Sequence, residues 1–382
     1  MCPPGFRRKD TARRMREEMK MICQRVTASR HIATAALLIF CALSGANCAR
    51  NPPPNGERLA LGKPVTKQLK NDEVHSYTVN LEEGQFLALS IEQHDVDVIA
   101  KAFAPGGRLV GEFDTPTSGR GTELVRVGAE SSGEYRFDIY TLSAGAEPGR
   151  YTLQQTELRP ISELDRRVLS AVKLQQEADA LRAKPETRRD SLPVYEEALR
   201  IWREVGDERE AANTLRAMGF AYQRLDEPER AKAHFGQALE VWERVGDWRS
   251  AAFTRVIFGV ISKRQGDYEA GLREDLQALP LWEKAGDAPE HTQQLVRVGN
   301  DYAKLQRRAE ALSYFERALE ASRGLESRSL KAFVLSQYGD AQASFGNTAE
   351  ALDLYQQALA LWESLKQDKP AASVREKIAK LQ

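Results

Sequence analysis

The chain has 382 residues, with 55 Lys and Arg against 55 Asp and Glu, 42% hydrophobic residues and four cysteines. Ten of the basic and three of the acidic residues fall in the first 50, which leaves 45 against 52 beyond them. The body is therefore mildly acidic, which argues against nucleic acid as a partner. Cys2, Cys23, Cys41 and Cys48 all lie in the first 48 residues, so the body has no disulfide and no thiol.

The N-terminus opens with a basic segment from Arg7 to Arg30. An apolar run, Ile32 to Leu43, follows, and then Ser44-Gly45-Ala46-Asn47-Cys48. This is the layout of an export signal, and twelve residues are too short a run to span a bilayer, which takes about 20. Met15, Met19 and Met21 are alternative starts. Two exits are open: cleavage after the small residues 44–46, or lipid attachment at Cys48, which is followed by the flexible stretch 49–56. The reading is an export segment over 1–48, a linker over 49–58, and a periplasmic, envelope-bound or secreted protein.

From 59 to 157 the hydrophobic period is two. Strands are expected at Val74–Leu81, Gln85–Gln93, Val96–Phe103, Arg108–Phe113, Glu123–Val127, Glu134–Leu142 and Arg150–Thr156, with turns at Pro105-Gly106-Gly107 and Glu147-Pro148-Gly149. Tyr135, Phe137 and Ile139 alternate with Arg136, Asp138 and Tyr140, which assigns the first three to a buried face. Seven or eight short strands in about 100 residues make an all-β sandwich. Asp95, Asp97 and Glu92 have the oxygen donors calcium takes, but they are more simply a strand edge and turn, and no metal is expected. The segments His75–Val79, Glu83–Gln85, Asp95–Val98, Ala104–Gly107 and Gly133–Phe137, in that order, resemble the bacterial pre-peptidase C-terminal domain, a small jelly roll of secreted proteins.

After a linker and first helix over 158–186, a fixed 40-residue period governs 187–368. Ala198, Ala238, Ala278, Ala318 and Ala358 are each followed by Leu. Trp202, Trp242, Trp282 and Trp362 come four residues later, with Ser322 in the remaining slot. Gly219, Gly259, Gly299 and Gly339 repeat at the same period inside helical stretches. A mid-helix glycine costs roughly 1 kcal/mol against alanine, so its recurrence implies helices in close approach. The tryptophans fall on the apolar stripe of Ala198, Leu199 and Val205 and are assigned to the core. Gly206-Asp207, Gly246-Asp247 and Gly286-Asp287 are helix stops followed by N-caps. One unit departs from the pattern, with Gly271, Asp275 and a mid-helix Pro280 that should bend its helix.

The offsets Gly219–Ala231–Phe235–Ala238 and Gly339–Ala351–Tyr355–Ala358 resemble the tetratricopeptide repeat, a helix A–turn–helix B unit. The usual period of that family is 34, so the longer period here implies a longer helix B and exit. Residues 369–382 are expected to form a capping helix. The fold class is thus multidomain, a jelly-roll-like sandwich followed by an all-α solenoid. The order of segments is similar to the N-terminal half of bacterial proteins that end in a caspase-like peptidase of the CHAT class. That class needs a His–Cys dyad, and there is no cysteine beyond Cys48 to supply one.

No two of His31, His75, His94, His234 and His291 have zinc spacing, and there is no nucleophile elbow or phosphate loop. The expectation is a protein without catalytic residues or cofactor. Counted from the glycines, and on the resemblance, the groove positions on helix A are Asn213, Arg216, Phe220 and Gln223, then Phe253, Val256, Val260 and Lys263. Gln293, Val296, Asn300, Phe333, Ser336 and Asp340 continue the set. The mixture of apolar side chains and amides suits a helix or extended segment of a partner protein. Phe253 and Phe333 are equally suited to completing the core between repeats. The reading is an exported adaptor that binds a protein or peptide in the repeat groove, with Cys48 as a membrane tether where it is lipidated. Two alternatives stand beside it: the sensor half of a split caspase-like peptidase system, and a carbohydrate- or surface-binding protein acting through the sandwich.

Overall fold

A computed structural model describes residues 56–70, 73–94, 96–114, 120–141 and 148–382. Residues 1–48, read from the sequence as an export segment, and Asp95 lie outside the described residues, and so does Cys48. Among those described, no helix is long and apolar enough to cross a membrane.

Among the described residues, nine strands form two stacked sheets. β1 (Glu57–Arg58), β3 (Val74–Leu81), β8 (Gly133–Tyr140), β5 (Ile99–Phe103) and β6 (Leu109–Phe113) make one sheet in that spatial order. β2 (Val65–Leu69), β9 (Gly149–Pro160), β4 (Gln85–His94) and β7 (Arg120–Gly128) make the other. The β1–β3 pair is parallel and the remaining pairs are antiparallel. The expected alternation holds. Tyr77 pairs with Phe137 and Val79 with Tyr135, and Tyr135, Phe137 and Ile139 are all buried against Leu87, Leu89, Ile91, Val125 and Val127 of the facing sheet. A polar triplet crosses this core, with the Tyr77 and Tyr151 hydroxyls 2.6 Å apart and the His75 Nδ1 2.8 Å from the latter. β1 and β2 were not anticipated, because Val65 and Leu69 are too widely spaced to show a period of two.

Eleven helices follow among the described residues. α1 (Glu163–Ala183) starts at a capping box in which Ser162 Oγ accepts from the Asp165 N–H and Asp165 accepts from the Ser162 N–H. α2 (Ser191–Val205) packs back on it. Four pairs then repeat: α3 (Glu208–Arg224) with α4 (Pro228–Val245), α5 (Trp248–Arg264) with α6 (Tyr268–Lys284), α7 (Ala288–Lys304) with α8 (Arg308–Arg323), and α9 (Arg328–Ser344) with α10 (Thr348–Ser364). α11 (Asp368–Leu381) closes the array. Every helix A is 17 residues long and the B helices are 16–18. The excess over a 34-residue unit is therefore shared by both helices and is not confined to helix B.

The turns explain why the count never slips. Asp207, Asp247, Asp287 and Ser327 cap successive A helices, each accepting from the N–H three residues on. The A–B turn needs one left-handed residue, and positions 226, 266, 306 and 346 supply it as Asp226, Gly266, Gln306 and Gly346. The interior matches the marker residues: Trp202, Trp242 and Trp282 are buried, and so is Ser322 in the remaining slot. A β-carbon on Gly219 would stand 2.6 Å from the Phe235 ring, and one on Gly339 would stand 2.6 Å from the Tyr355 ring. The recurring glycine thus admits an aromatic ring of helix B against the backbone of helix A.

The divergent unit solves the same packing differently. α6 runs continuously through Pro280, whose ring lies at the solvent face. Asp275 occupies the aromatic position, almost wholly buried. It is met there by Lys263 of α5, whose ammonium also donates to Asp301 of α7 at 2.9 and 3.0 Å. The Gln294 amide donates to Asp275 Oδ1 at 2.8 Å.

Candidate binding surface

The helix A face of the solenoid is not uniformly open. Its N-terminal part lies under the sandwich. Strand β7 is an edge strand of its sheet, and Arg126 on it points at the start of α3. The Arg126 guanidinium donates to Asp207 at 2.9 Å, stands 3.9 Å from Glu210 and lies 5.7 Å from the Trp202 ring centroid. Gln176 of α1 donates to the Glu112 backbone carbonyl at 3.1 Å. An edge covered by helices in this way offers no template for pairing with another chain.

Between β6, β7, α1 and α3 there remains a cavity of about 120 Å³. Asn213, Arg216 and Phe220, three of the positions expected to face a partner, line it. Arg216 is only 5% exposed. It donates to the Asn213 amide oxygen at 2.9 Å, and the Asn213 amide in turn donates to Glu210 at 3.3 Å. Burial pushes the Arg216 pKa down and the Glu210 pKa up, each toward the neutral form. Gln223, Phe253 and Val260 are half-buried, and Phe253 packs against the inter-repeat core. Val256 is a correction to the groove assignment: it is 8% exposed and belongs to that core, because this register of α5 turns it toward the neighbouring helices.

The C-terminal part of the face is different. Phe333 is 37% exposed. Beside it a ladder of polar side chains crosses the A helices. The Asn300 amide donates to Gln337 at 3.0 Å, Gln337 to Asp340 at 3.3 Å, and Lys377 of α11 to Asp340 at 2.7 Å. Tyr355 of α10 supports it from behind, donating to Asp340 at 2.7 Å. Val296 and Ser336 are buried beneath this ladder, and Gln293 is half-buried.

Sequence reasoning placed Lys263 on the groove and noted Asp275 as an anomaly, but did not join them to Asp301. Arg126, Gln337 and Lys377 were missed too. The signal for the first group was present: two departures from the repeat, Gly271 and Asp275, lie in the unit whose helix A carries Lys263. Among the described residues no three His, Cys, Asp or Glu side chains gather to hold a metal ion.

The tetratricopeptide repeat family model matches residues 189–244 and 291–364. The chain carries these repeats, and the interval between the two matches contains Gly271, Asp275 and Pro280. No curated protein matches the chain. Among solved structures it is similar to BtubC from P. vanneervenii, at 15% identity and a TM-score of 0.37 over 54% of this chain and 93% of that one. It is also similar to a signal transduction ATPase with a tetratricopeptide repeat sensor from Pyrococcus horikoshii, at 17% and 0.42 over 57% and 37%. The apo form of RapI aligns at 15% and 0.49 over 54% and 57%.

Proposed function

We propose that the chain is an exported adaptor without catalytic chemistry of its own. It binds a segment of a partner protein along the helix A face of its C-terminal repeats. The observation that carries this reading is the contrast along one face. Its N-terminal part is covered by the chain's own sandwich, whereas around α9 an exposed phenylalanine, Phe333, stands beside a row of amides ending at Lys377. An apolar centre with a hydrogen-bonding rim is the composition of a protein-binding patch. Export rests on the basic, apolar and small-residue layout of 1–48, and Cys48 supplies a point for a lipid tether.

The test is affinity capture from envelope extract, comparing wild type with Phe333→Glu. A protein captured saturably by wild type and released by Phe333→Glu supports the reading. Capture that is indifferent to Phe333→Glu overturns the site. Intact mass of the mature chain, with Cys48→Ser as control, tests the tether separately.

A further inference from the structure

The units of the solenoid repeat one template, so a cleft that the chain closes in one unit shows what the same cleft accepts in another. Between α4 and α6, two side chains of α5 close it. The Trp248 indole packs against the inter-repeat core beside Gly246, with the Lys284 ammonium 4.6 Å from its ring centroid. Arg255 bridges the two B helices, 3.4 Å from Glu243 of α4 and 3.2 Å from Glu274 of α6. Forty residues earlier, between α2 and α4, the same two positions hold Glu208 and Leu215. A cavity of about 430 Å³ lies there, bordered by Gly206 and Arg244, the counterparts of Gly246 and Lys284. Ligand pockets span roughly 300–1,000 Å³.

The lining restricts what this cavity takes. Its floor is apolar and consists of Trp202, Ala211, Leu215 and Val241. Its charges balance, Glu208 and Glu240 against Arg203 and Arg244, and Arg244 donates to Glu208 at 3.1 Å. An ion entering the cavity would meet no excess of the opposite charge, and burying an uncompensated ion is costly. An uncharged ring carries no such cost. Arg244 stands where Lys284 stands over Trp248, and a guanidinium over an aromatic face is attractive. At the rim, the Arg203 guanidinium and the Gln237 amide oxygen are 3.5 Å apart, the outer limit of a hydrogen bond. Both groups are therefore suited to meeting the backbone amides of a chain that inserts a ring between them.

We propose that this cavity binds a tryptophan side chain carried by a partner polypeptide, with the indole on the Leu215 floor beneath Arg244 and the flanking peptide groups at Arg203 and Gln237. From α3 the site takes positions 208, 211 and 215, not the groove positions 213, 216 and 220. It does not rest on the Phe333 surface.

Fluorine NMR of the full chain with N-acetyl-5-fluoro-L-tryptophanamide tests the proposal, with N-acetyl-L-tryptophanamide, N-acetyl-L-leucinamide and indole as competitors. The tryptophan amide should displace the probe saturably. The leucine amide should do so at least tenfold less well, and indole, which lacks the peptide groups, less well than the tryptophan amide. Glu208→Trp supplies the residue that closes the next cleft, so it should abolish probe binding and raise the thermal midpoint. Arg244→Ala should weaken binding about fivefold, the loss expected for a cation over a ring at an exposed site. Arg244 is exposed, so this variant stays informative even where Glu208→Trp fails to fold. No displaceable binding, a leucine amide or indole that competes as well as the tryptophan amide, or unchanged affinity in either folded variant would each overturn the proposal.

Discussion

The Arg126 guanidinium on β7 lies 2.9 Å from the carboxylate of Asp207, the residue that caps α3. Arg126, which also stands 3.9 Å from Glu210, thus joins the sandwich edge to the first turn of α3, and the Arg126 and Asp207 side chains are mostly shielded from water. A charged hydrogen bond in such a setting contributes roughly 1.5–3 kcal/mol. Arg126→Ala should loosen the two parts from each other without unfolding either. Hydrogen exchange should show faster exchange in 120–128 and 208–212, with 288–364 unchanged. Uniform exchange across the chain, equal to wild type, would mean the joint is held by other contacts.

Two glycines in neighbouring helices give opposite expectations for the same substitution. Gly219→Ala gains helix propensity of about 1 kcal/mol but drives its new methyl to 2.6 Å from the Phe235 ring, and overpacking of that kind costs about 1–3 kcal/mol. Gly236 sits within α4 with nothing within 4 Å of an added β-carbon. Gly236→Ala should therefore raise the thermal midpoint and Gly219→Ala lower it. Thermal unfolding followed by circular dichroism distinguishes them, and two shifts of the same sign would refute the packing argument.

These cases mark where the sequence is informative about structure. The period of 40 located the repeats because each cap and each turn recurs at a fixed offset, from Asp207 to Asp247 to Asp287. Val74–Leu81 was legible as a strand because apolar Tyr77, Val79 and Leu81 alternate with polar Ser76, Thr78 and Asn80. Val65–Leu69 was not, since only Leu69 is fully buried. The covering of Asn213, Arg216 and Phe220 by the sandwich was invisible, because a contact between positions 126 and 207 leaves no local pattern. The Asp275–Lys263–Asp301 cluster is intermediate. Asp275 announces itself as a misfit, but its second neighbour comes from the next repeat, where Asp301 looks like any helical surface acid.

That cluster should behave as a unit. Lys263 holds two almost fully buried carboxylates, and removing one partner of a buried pair costs roughly 3–5 kcal/mol. Lys263→Met should destabilise by that order. Adding Asp275→Asn and Asp301→Asn in the same chain should recover most of the loss, because the uncompensated charges are then gone. Urea denaturation of the single and triple variants measures both. A triple variant no more stable than the single would show that packing around the Lys263 stem, and not charge, dominates.

The same cluster gives the chain a distinctive pH response. Burial, together with the neighbouring Asp275, pushes the Asp301 carboxyl up to about 7, far above its value in an unfolded chain. Between roughly pH 4 and 7 the folded state therefore binds more protons than the unfolded state, and stability falls as pH rises through that window. Glu290 and Glu210, raised by burial, act in the same direction. Asp165 acts in the opposite direction in acid. Its bonds to Arg159 and Ser162 hold its pKa well below the usual carboxylate range, so its contribution is present above about pH 4 and is lost on further acidification. The contributions of Asp301, Glu290 and Glu210 decline toward pH 7.5, and they are opposed below about pH 6.5 by His75, His234 and His291, whose pKa values burial lowers. Asp301→Asn should flatten the decline and leave the acid limb intact. Chemical denaturation of wild type and Asp301→Asn at half-unit intervals from pH 3 to 8 would trace both limbs, and two profiles of the same shape between pH 4 and 7.5 would contradict the assignment of a raised pKa to Asp301.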